Sequence, residues 1–445
     1  MLESDVLVIG GGNAALVSAI TCAELGRNVL LVESAPMHER GGNSKYTRDI
    51  RYAHESDPFT TGEYTKQEFL KDLESVSERN FDRKMAEIVI EDSYDIVRWM
   101  QEHGVIFKKA IKGTLGLSRT NAFFLGGGKA LLNTYYMRAE KLGVKILYNT
   151  EVKELIFKDR RFEHALADHQ GMKITIKAKQ VIVASGGFEA NIEKLREIWG
   201  NKAENLIIRG SKYNTGLPLF SLLKNGAQPV GSEKSGHMVA VDARSPKFDG
   251  GIVTRIDAIP IGIVLNKRGE RFYDEGEDLW PKRYAIWGRL ILEQEDQIAY
   301  AIVDSKMIND FLPTAFPPIT ANDLYSLFSR IDIDRERAIK TVSEFNKSVV
   351  EGNCNTSILD NCHTVGINPP KSHWARKIDT PPFFAFPLRP GLTFTYMGVK
   401  VNEYGKVMHK DGGEFENVFA AGEIMSGNVL TKGYLGGFGL TIGTV

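Results

Sequence analysis

The residues whose types and spacing speak most directly of chemistry are Gly10-Gly11-Gly12-Asn13-Ala14-Ala15, followed by an acid at Glu33. Gly10 would close a tight turn, Gly12 would let backbone approach a pyrophosphate, and the small Ala15 would let a helix pack closely on a sheet. A helix starting there presents free N–H groups and the positive end of its dipole to phosphate. Glu33, at the end of the next strand, can accept hydrogen bonds from both hydroxyls of a ribose. The pattern implies dinucleotide binding.

Those residues need elements to hold them. Asp5-Val6-Leu7-Val8-Ile9 reads as a buried parallel strand, Ala14 to Leu25 as a helix stopped at Gly26, and Val29-Leu30-Leu31-Val32-Glu33 as the next strand. Polar helical stretches are expected over 64–103, a helix that follows the cluster Gly126-Gly127-Gly128-Lys129 and runs to Leu142, and strands near 144–148, 152–157 and 173–178. Val181-Ile182-Val183 then runs as a buried strand into Ala184-Ser185-Gly186-Gly187-Phe188. From 233 to 384 the texture turns Pro- and aromatic-rich, with Trp280, Trp287, Trp374 and one clear helix near 335–350. Strands resume at Phe394, and a last glycine turn, Leu435 to Leu440, enters a helix. The expected fold class is α/β: a discontinuous Rossmann-like domain over 1–232 and 385–445, with an inserted α+β capping domain over 233–384.

Composition removes other function classes. Lys+Arg and Asp+Glu are equal at 56 each and no long basic run occurs, so no nucleic-acid partner is expected. No apolar run reaches about 18 residues, which argues against direct membrane insertion. The N-terminus enters a strand without a basic n-region or a cleavage pattern. The chain is therefore expected to be cytoplasmic, with any membrane association made through a partner. Cys22, Cys354 and Cys362 contain no Cys-x-x-Cys pair and are expected to be reduced thiols. His363 beside Cys362 lacks a second ligand pair at zinc spacing, so no metal is expected.

Five further blocks follow the first turn: Gly41-Gly42-Asn43-Ser44, Ala184 to Phe188, Asn266 to Phe272, Ala421-Gly422-Glu423 and Leu435-Gly436-Gly437. In this order they resemble the FAD flavoprotein subunits of succinate dehydrogenases and fumarate reductases, over essentially the whole chain. Within that family, Gly42 to Tyr52, Gly276 to Tyr284 and Thr393 to Gly398 are similar to FAD-dependent tricarballylate dehydrogenases and to the flavin half of a cobalamin-pathway protein. The resemblance implies FAD as cofactor. The flavin-attaching His of the membrane-complex subunits has no counterpart near Ser44, so the FAD is expected to be noncovalent. Gly10, Gly12, Asn13, Ala14 and Ala15 would line the pyrophosphate, Glu33 and Ser34 the adenosine, and Val152 the adenine. Gly41, Gly42, Asn43 and Ser44 would pass the flavin N5 edge, with Ala184, Ser185 and Gly186 as further cofactor residues. Gly422 and Glu423 would face the pyrophosphate and ribityl chain. Leu435, Gly436, Gly437, Gly439 and Leu440 would form a helix start aimed at N1 and O2, a dipole that favours negative charge there.

The implied reaction is dehydrogenation of a polycarboxylic acid, tricarballylate to cis-aconitate, with an α-proton removed and a hydride sent to flavin N5. No haem or iron–sulfur motif is present, so a separate acceptor protein, a quinone-linked carrier or oxygen would take the electrons. A reductase of another unsaturated acid, a steroid-type dehydrogenase, a role in corrin synthesis and an electron-transfer subunit remain open. By family position His237 binds substrate and Arg283 transfers the proton, with Lys282 beside it as the alternative. An ungapped match around Thr254, itself a candidate, puts Arg255 at a relay Glu and Ala258 at a relay Arg of fumarate reductases. The family's second carboxylate-binding His is missing near Phe394 and Thr395, and Tyr434 stands at its clamping Arg. Arg255, Lys432, Tyr434 and Arg389 would compensate, suiting an acid with three carboxylates, and Arg48 and Arg51 are further candidates.

Overall fold

The computed structural model describes residues 2–445. Its first sheet forms where the sequence carries unbroken apolar runs: Val29–Val32 is buried throughout, and Leu2–Ile9 over its last four positions. Parallel strands covered on both faces require such runs. The strand order is Lys406–Met408, Glu414–Ala420, Met172–Val183, Leu2–Ile9, Val29–Val32, Lys145–Leu147. Every neighbouring pair is parallel except the one at the Lys406–Met408 edge. Asn13–Glu24 carries the chain from Leu2–Ile9 to Val29–Val32 on one side, and Met172–Val183 flanks Leu2–Ile9 on the other. The winding therefore reverses beside Leu2–Ile9. In open sheets of this kind ligands lie in the crevice outside the carboxyl ends of the strands at that reversal.

A second, antiparallel sheet runs Gly236–Asp242, Phe383–Thr395, Ala299–Asp304, Ile263–Asn266, with Ile319–Ala321 and Ile207–Ile208 paired to the long strand. The expected boundary at 385 falls inside Phe383–Thr395, whose pairings all lie in this second sheet. Of its tryptophans, Trp287 and Trp374 are fully buried. The helix expected near 335–350 spans Arg335–Ser348. The stretch expected to be helical over 64–103 is two helices, Lys66–Ser77 and Arg83–Glu102. Thr65 and Asp82 each accept a backbone N–H, from Glu68 and Met85, and so start a separate helix.

The cysteine expectation is corrected. Cys354 and Cys362 form a disulfide with Cα atoms 5.7 Å apart, leaving Cys22 as the free thiol. The cause is a side chain rather than a spacing motif: the Asp360 carboxylate accepts the N–H groups of Asn355, Cys362 and Trp374, which folds the loop back on itself. No helix among the described residues is long and apolar enough to cross a membrane.

Candidate active site

The crevice at the winding reversal encloses about 1520 Å³ of empty space, mouth included. Of the expected cofactor residues, Gly10, Gly12, Asn13, Ala14, Glu33, Ser34, Val152, Gly42, Asn43, Ser44, Ala184, Ser185 and Gly186 line it. So do Gly422, Glu423, Gly436, Gly437, Gly439 and Leu440. Three do not reach its surface. Ala15 and Leu435 are fully buried behind it, and Gly41 spends its N–H on the Glu33 carboxylate at 3.3 Å.

The glycines of the first turn are required by contact as well as by conformation. Gly10 has φ +122°, and a Cβ there would lie 2.3 Å from the Ala184 carbonyl oxygen. A Cβ on Gly11 would lie 2.1 Å from Glu33 Oε2 and 2.3 Å from the Tyr136 hydroxyl. Asn13–Glu24 then begins without a side-chain cap or an acid in its first turn. Its leading N–H groups are thus left for an outside acceptor, save that of Asn13, which donates to Ser44 Oγ at 3.0 Å. Asn13 Oδ1, Ser185 Oγ and Thr393 Oγ1 are buried without a partner, and all three residues line the crevice. A glycine cradle, a free helix start and orphaned polar atoms fit a dinucleotide.

Two buried carboxyl groups meet beside Gly187, where a Cβ would lie 2.3 Å from Glu423 Oε1 and 2.8 Å from Glu189 Oε2. Glu189 Oε1 accepts from Asn43 at 2.5 Å and Asn214 at 2.6 Å, while Glu423 accepts the Thr395 N–H at 2.8 Å. Burial pushes Glu189 up to about 7, and burial together with Glu189 drives Glu423 well above the ordinary carboxyl range. The pair therefore holds a shared proton near neutrality. Folding takes that proton up between the free carboxyl value of about 4.3 and the raised value, so stability falls as pH rises through this window. Glu189→Gln supplies a permanent N–H donor in place of the proton. Its FAD-loaded melting temperature should stay nearly level from about pH 5 to about pH 8 while the wild type's drops. Parallel slopes would show that no proton is shared.

Farther along the crevice, charged and aromatic side chains from both sheets converge. His237 stacks on Tyr434 with ring centres 4.0 Å apart, and Tyr284 meets its edge at 5.2 Å. The Arg255 guanidinium lies over the Tyr284 ring at 4.4 Å. Arg255 is also paired with Asp257 through Nε at 2.6 Å and Nη2 at 2.8 Å, and Trp280 Nε1 donates to the same carboxylate at 2.8 Å. Burial would raise Asp257, but Arg255 and Arg48 hold it below its usual range. Arg48 faces Asp49 at 3.3 Å. Arg209 differs from both: it is buried, lines the crevice and, among the described residues, meets no carboxylate and leaves Nη1 without a hydrogen bond. Burial, then Arg255 and Arg48, bring it down to about 10. Burial, with Arg209 and Arg255, keeps His237 neutral.

The structure does not bring the remaining candidates to the crevice lining. Arg283 faces Glu277 at 3.3 Å, and Lys282 lies between Asp72 at 3.3 Å and Asp278 at 3.4 Å. The reason is the short helix Trp280–Arg283, which turns the buried i and i+4 positions, Trp280 and Tyr284, inward and the two cations away. Lys432 is an exposed partner of Glu78, and Arg389 donates to the Asp296 and Gln297 carbonyls. Thr254 bonds the Gly251 carbonyl, and Thr395 supports Glu423 from behind the wall. Arg51 is buried on the Gly436 carbonyl at 3.0 Å and the Tyr64 hydroxyl at 2.6 Å, holding the last glycine turn in place. Sequence reasoning missed Arg209, Tyr284 and Glu189. A charged residue directly after the apolar run Leu206-Ile207-Ile208 and an aromatic pair at i, i+4 were the available signals.

Residues 5–440 match the family model of the FAD binding domain. The chain belongs to that family. FAD is accordingly the cofactor that the glycine cradle accommodates. Among curated relatives, the NADH:fumarate oxidoreductase of Klebsiella pneumoniae (strain 342) is 22% identical over 95% of this chain and 44% of its own length. The NADH:acrylate oxidoreductase of Vibrio harveyi is 23% identical over 95% of this chain and 47% of its own length. The chain thus spans about half the length of these two relatives. The urocanate reductase of Eggerthella lenta is 24% identical over 99% of this chain and 72% of its own length. Among solved structures, an open flavocytochrome c3 fumarate reductase superposes with TM-score 0.73 at 21% identity, covering 100% of this chain and 78% of its own. The 3-ketosteroid delta1-dehydrogenase of Sterolibacterium denitrificans superposes with TM-score 0.78 at 15% identity, covering 100% and 98%. These likenesses show the fold of this FAD binding domain.

Proposed function

We infer that this FAD binding domain is the catalytic part of an oxidoreductase that interconverts a saturated and an α,β-unsaturated carboxylic acid. The observation that carries the reading is Arg209, a buried guanidinium on the crevice wall with no carboxylate of its own. Burying an uncompensated charge is costly, and an anionic substrate removes the cost. Bound FAD, held noncovalently by the glycine cradle, would exchange a hydride with the substrate carbon next to the acidic one. The chain's residues then bind the carboxylate at Arg209, wall the substrate with His237, Tyr284 and Tyr434, and move one proton. The names of the relatives, reductases of fumarate, acrylate and urocanate, support this substrate class.

Within the class we favour a polycarboxylate, the tricarballylate and cis-aconitate pair, on the sequence blocks Gly42 to Tyr52, Gly276 to Tyr284 and Thr393 to Gly398. Reduction of another unsaturated acid is favoured by a different observation. Arg48 and Arg255 are each matched by an aspartate, so the uncompensated charge is that of Arg209, enough for one carboxylate. A separate protein or quinone-linked carrier would exchange the electrons. Anaerobic mixing tests both readings. Bleaching of oxidised flavin by tricarballylate but not succinate is the outcome for the first. Reoxidation of reduced flavin by fumarate or acrylate, without bleaching by tricarballylate, is the outcome for the second. No response to any of these acids would remove the substrate class.

A further inference from the structure

We propose that Tyr284, the residue after the Lys282-Arg283 pair, is the group that exchanges the proton with the substrate's α-carbon. The proposal rests on the carboxylic-acid reading above and names the group that completes it. Tyr284 is 4% exposed, and it borders the crevice together with Arg209, Arg255 and His237. Its hydroxyl has no hydrogen-bond partner among the described residues; burial and neighbouring charges alone act on it. The neighbouring Tyr434, by contrast, spends its hydroxyl on the Gly439 N–H at 2.8 Å. Arg283 and Lys282, on the outer face of the same short helix, already face carboxylates.

The surroundings suit a phenol that gives up and recovers a proton. Arg255 lies across its ring, and Arg209 and Arg48 are close enough to stabilise a phenolate, opposed by Asp49. His237 at its edge is neutral. Burial outweighs the three guanidiniums and leaves the hydroxyl at about 12, so the resting group carries its proton. In the reducing direction the Tyr284 O–H bond would break and its proton would form the new C–H bond at the α-carbon, the hydride for the β-carbon being what reduced FAD would supply when bound. The phenolate is reprotonated from water. In the oxidising direction the phenolate would take the α-proton, bound FAD serving as the acceptor of the hydride, and this direction should accelerate as pH rises toward the phenol's ionisation.

Tyr284→Phe tests this, because it keeps the ring packed under Arg255 and removes a hydroxyl that bonds nothing. The FAD-loaded variant should retain its flavin absorbance and bind citrate, followed by perturbation of the flavin spectrum, as the wild type does. Flavin bleaching by tricarballylate and reoxidation by cis-aconitate, fumarate or acrylate should fall by about 10²–10⁴-fold, and the pH dependence of bleaching should vanish. Rates within tenfold of wild type overturn the proposal alone, as does weakened citrate binding, which would make Tyr284 a binding group. A loss seen in Arg283→Ala but not in Tyr284→Phe returns the proton to Arg283. A wild-type protein inert toward all four acids overturns the carboxylic-acid reading and the proposal with it.

Discussion

Arg209→Met should yield a protein that melts at a higher temperature than the wild type and binds polycarboxylates roughly 10- to 150-fold more weakly, the equivalent of one charged hydrogen bond. The two effects have one cause. A guanidinium brought down to about 10 by burial, Arg255 and Arg48 is held in the fold at a cost. The unfolded chain binds its proton more tightly, so the cost is fully present at neutral pH and is relieved only above the folded value. The lowered value corresponds to on the order of 3 kcal/mol, and an apolar side chain of similar length recovers part of it. The bound carboxylate is what recovers it in the wild type. Arg255 offers no such separation of effects, because its removal would leave the buried Asp257 with only the more distant Arg48, 3.9 Å away, as a cationic partner. Thermal melts and flavin-perturbation titrations with citrate on the FAD-loaded proteins decide the matter. A lower melting temperature would mean that Arg209 is compensated in the fold, and unchanged citrate affinity would mean that the carboxylate binds elsewhere.

Gly10→Ala should cost the protein both its FAD and its fold. The backbone at Gly10 lies at φ +122°, and the added Cβ would sit 2.3 Å from the Ala184 carbonyl oxygen, a backbone atom just past the neighbouring strand Met172–Val183 that cannot swing away. Strain and overlap together amount to about 2–6 kcal/mol. Gly12→Ala makes the informative contrast. A Cβ there would meet Ser44 Oγ at 3.3 Å, a side chain that can move, so the damage should fall on FAD affinity and spare the apoprotein's stability. Flavin-to-protein absorbance ratios and melting temperatures of both variants, with and without FAD, separate the two effects. Equal apoprotein stabilities would show that the turn tolerates a side chain at Gly10.

Much of the cofactor site was legible in the sequence because its determinants are short-range. Gly10 to Glu33 form one contiguous strand-turn-helix-strand unit, so the residues that shape the turn are those that neighbour it in the chain. Ser44, Glu423 and Gly437 were placed through blocks of adjacent residues, and they line the same crevice. The reach of individual side chains was less legible. Lys282, Arg283 and Tyr284 are consecutive, and only the direction of one helical turn, fixed by burial of Trp280 and Tyr284, decides which of them enters the crevice. The disulfide was hidden for a similar reason, since Asp360 organises that loop by side-chain hydrogen bonds rather than by a spacing motif.

The dinucleotide-binding α/β sheet and its glycine cradle could be read from the sequence alone, because hydrophobic runs, turns and helix starts are encoded within a few residues. The tertiary structure decided which cation is available to a substrate. Arg209 follows the two-residue strand Ile207–Ile208 of the second sheet and Arg255 bridges Val241 of Gly236–Asp242, whereas the aspartates facing Arg48 and Arg255, Asp49 and Asp257, stand one and two residues away in the chain. What folding decides is that Arg209 is buried on the crevice wall with no carboxylate of the described residues beside it, and because Coulomb attraction falls with distance its charge is left free.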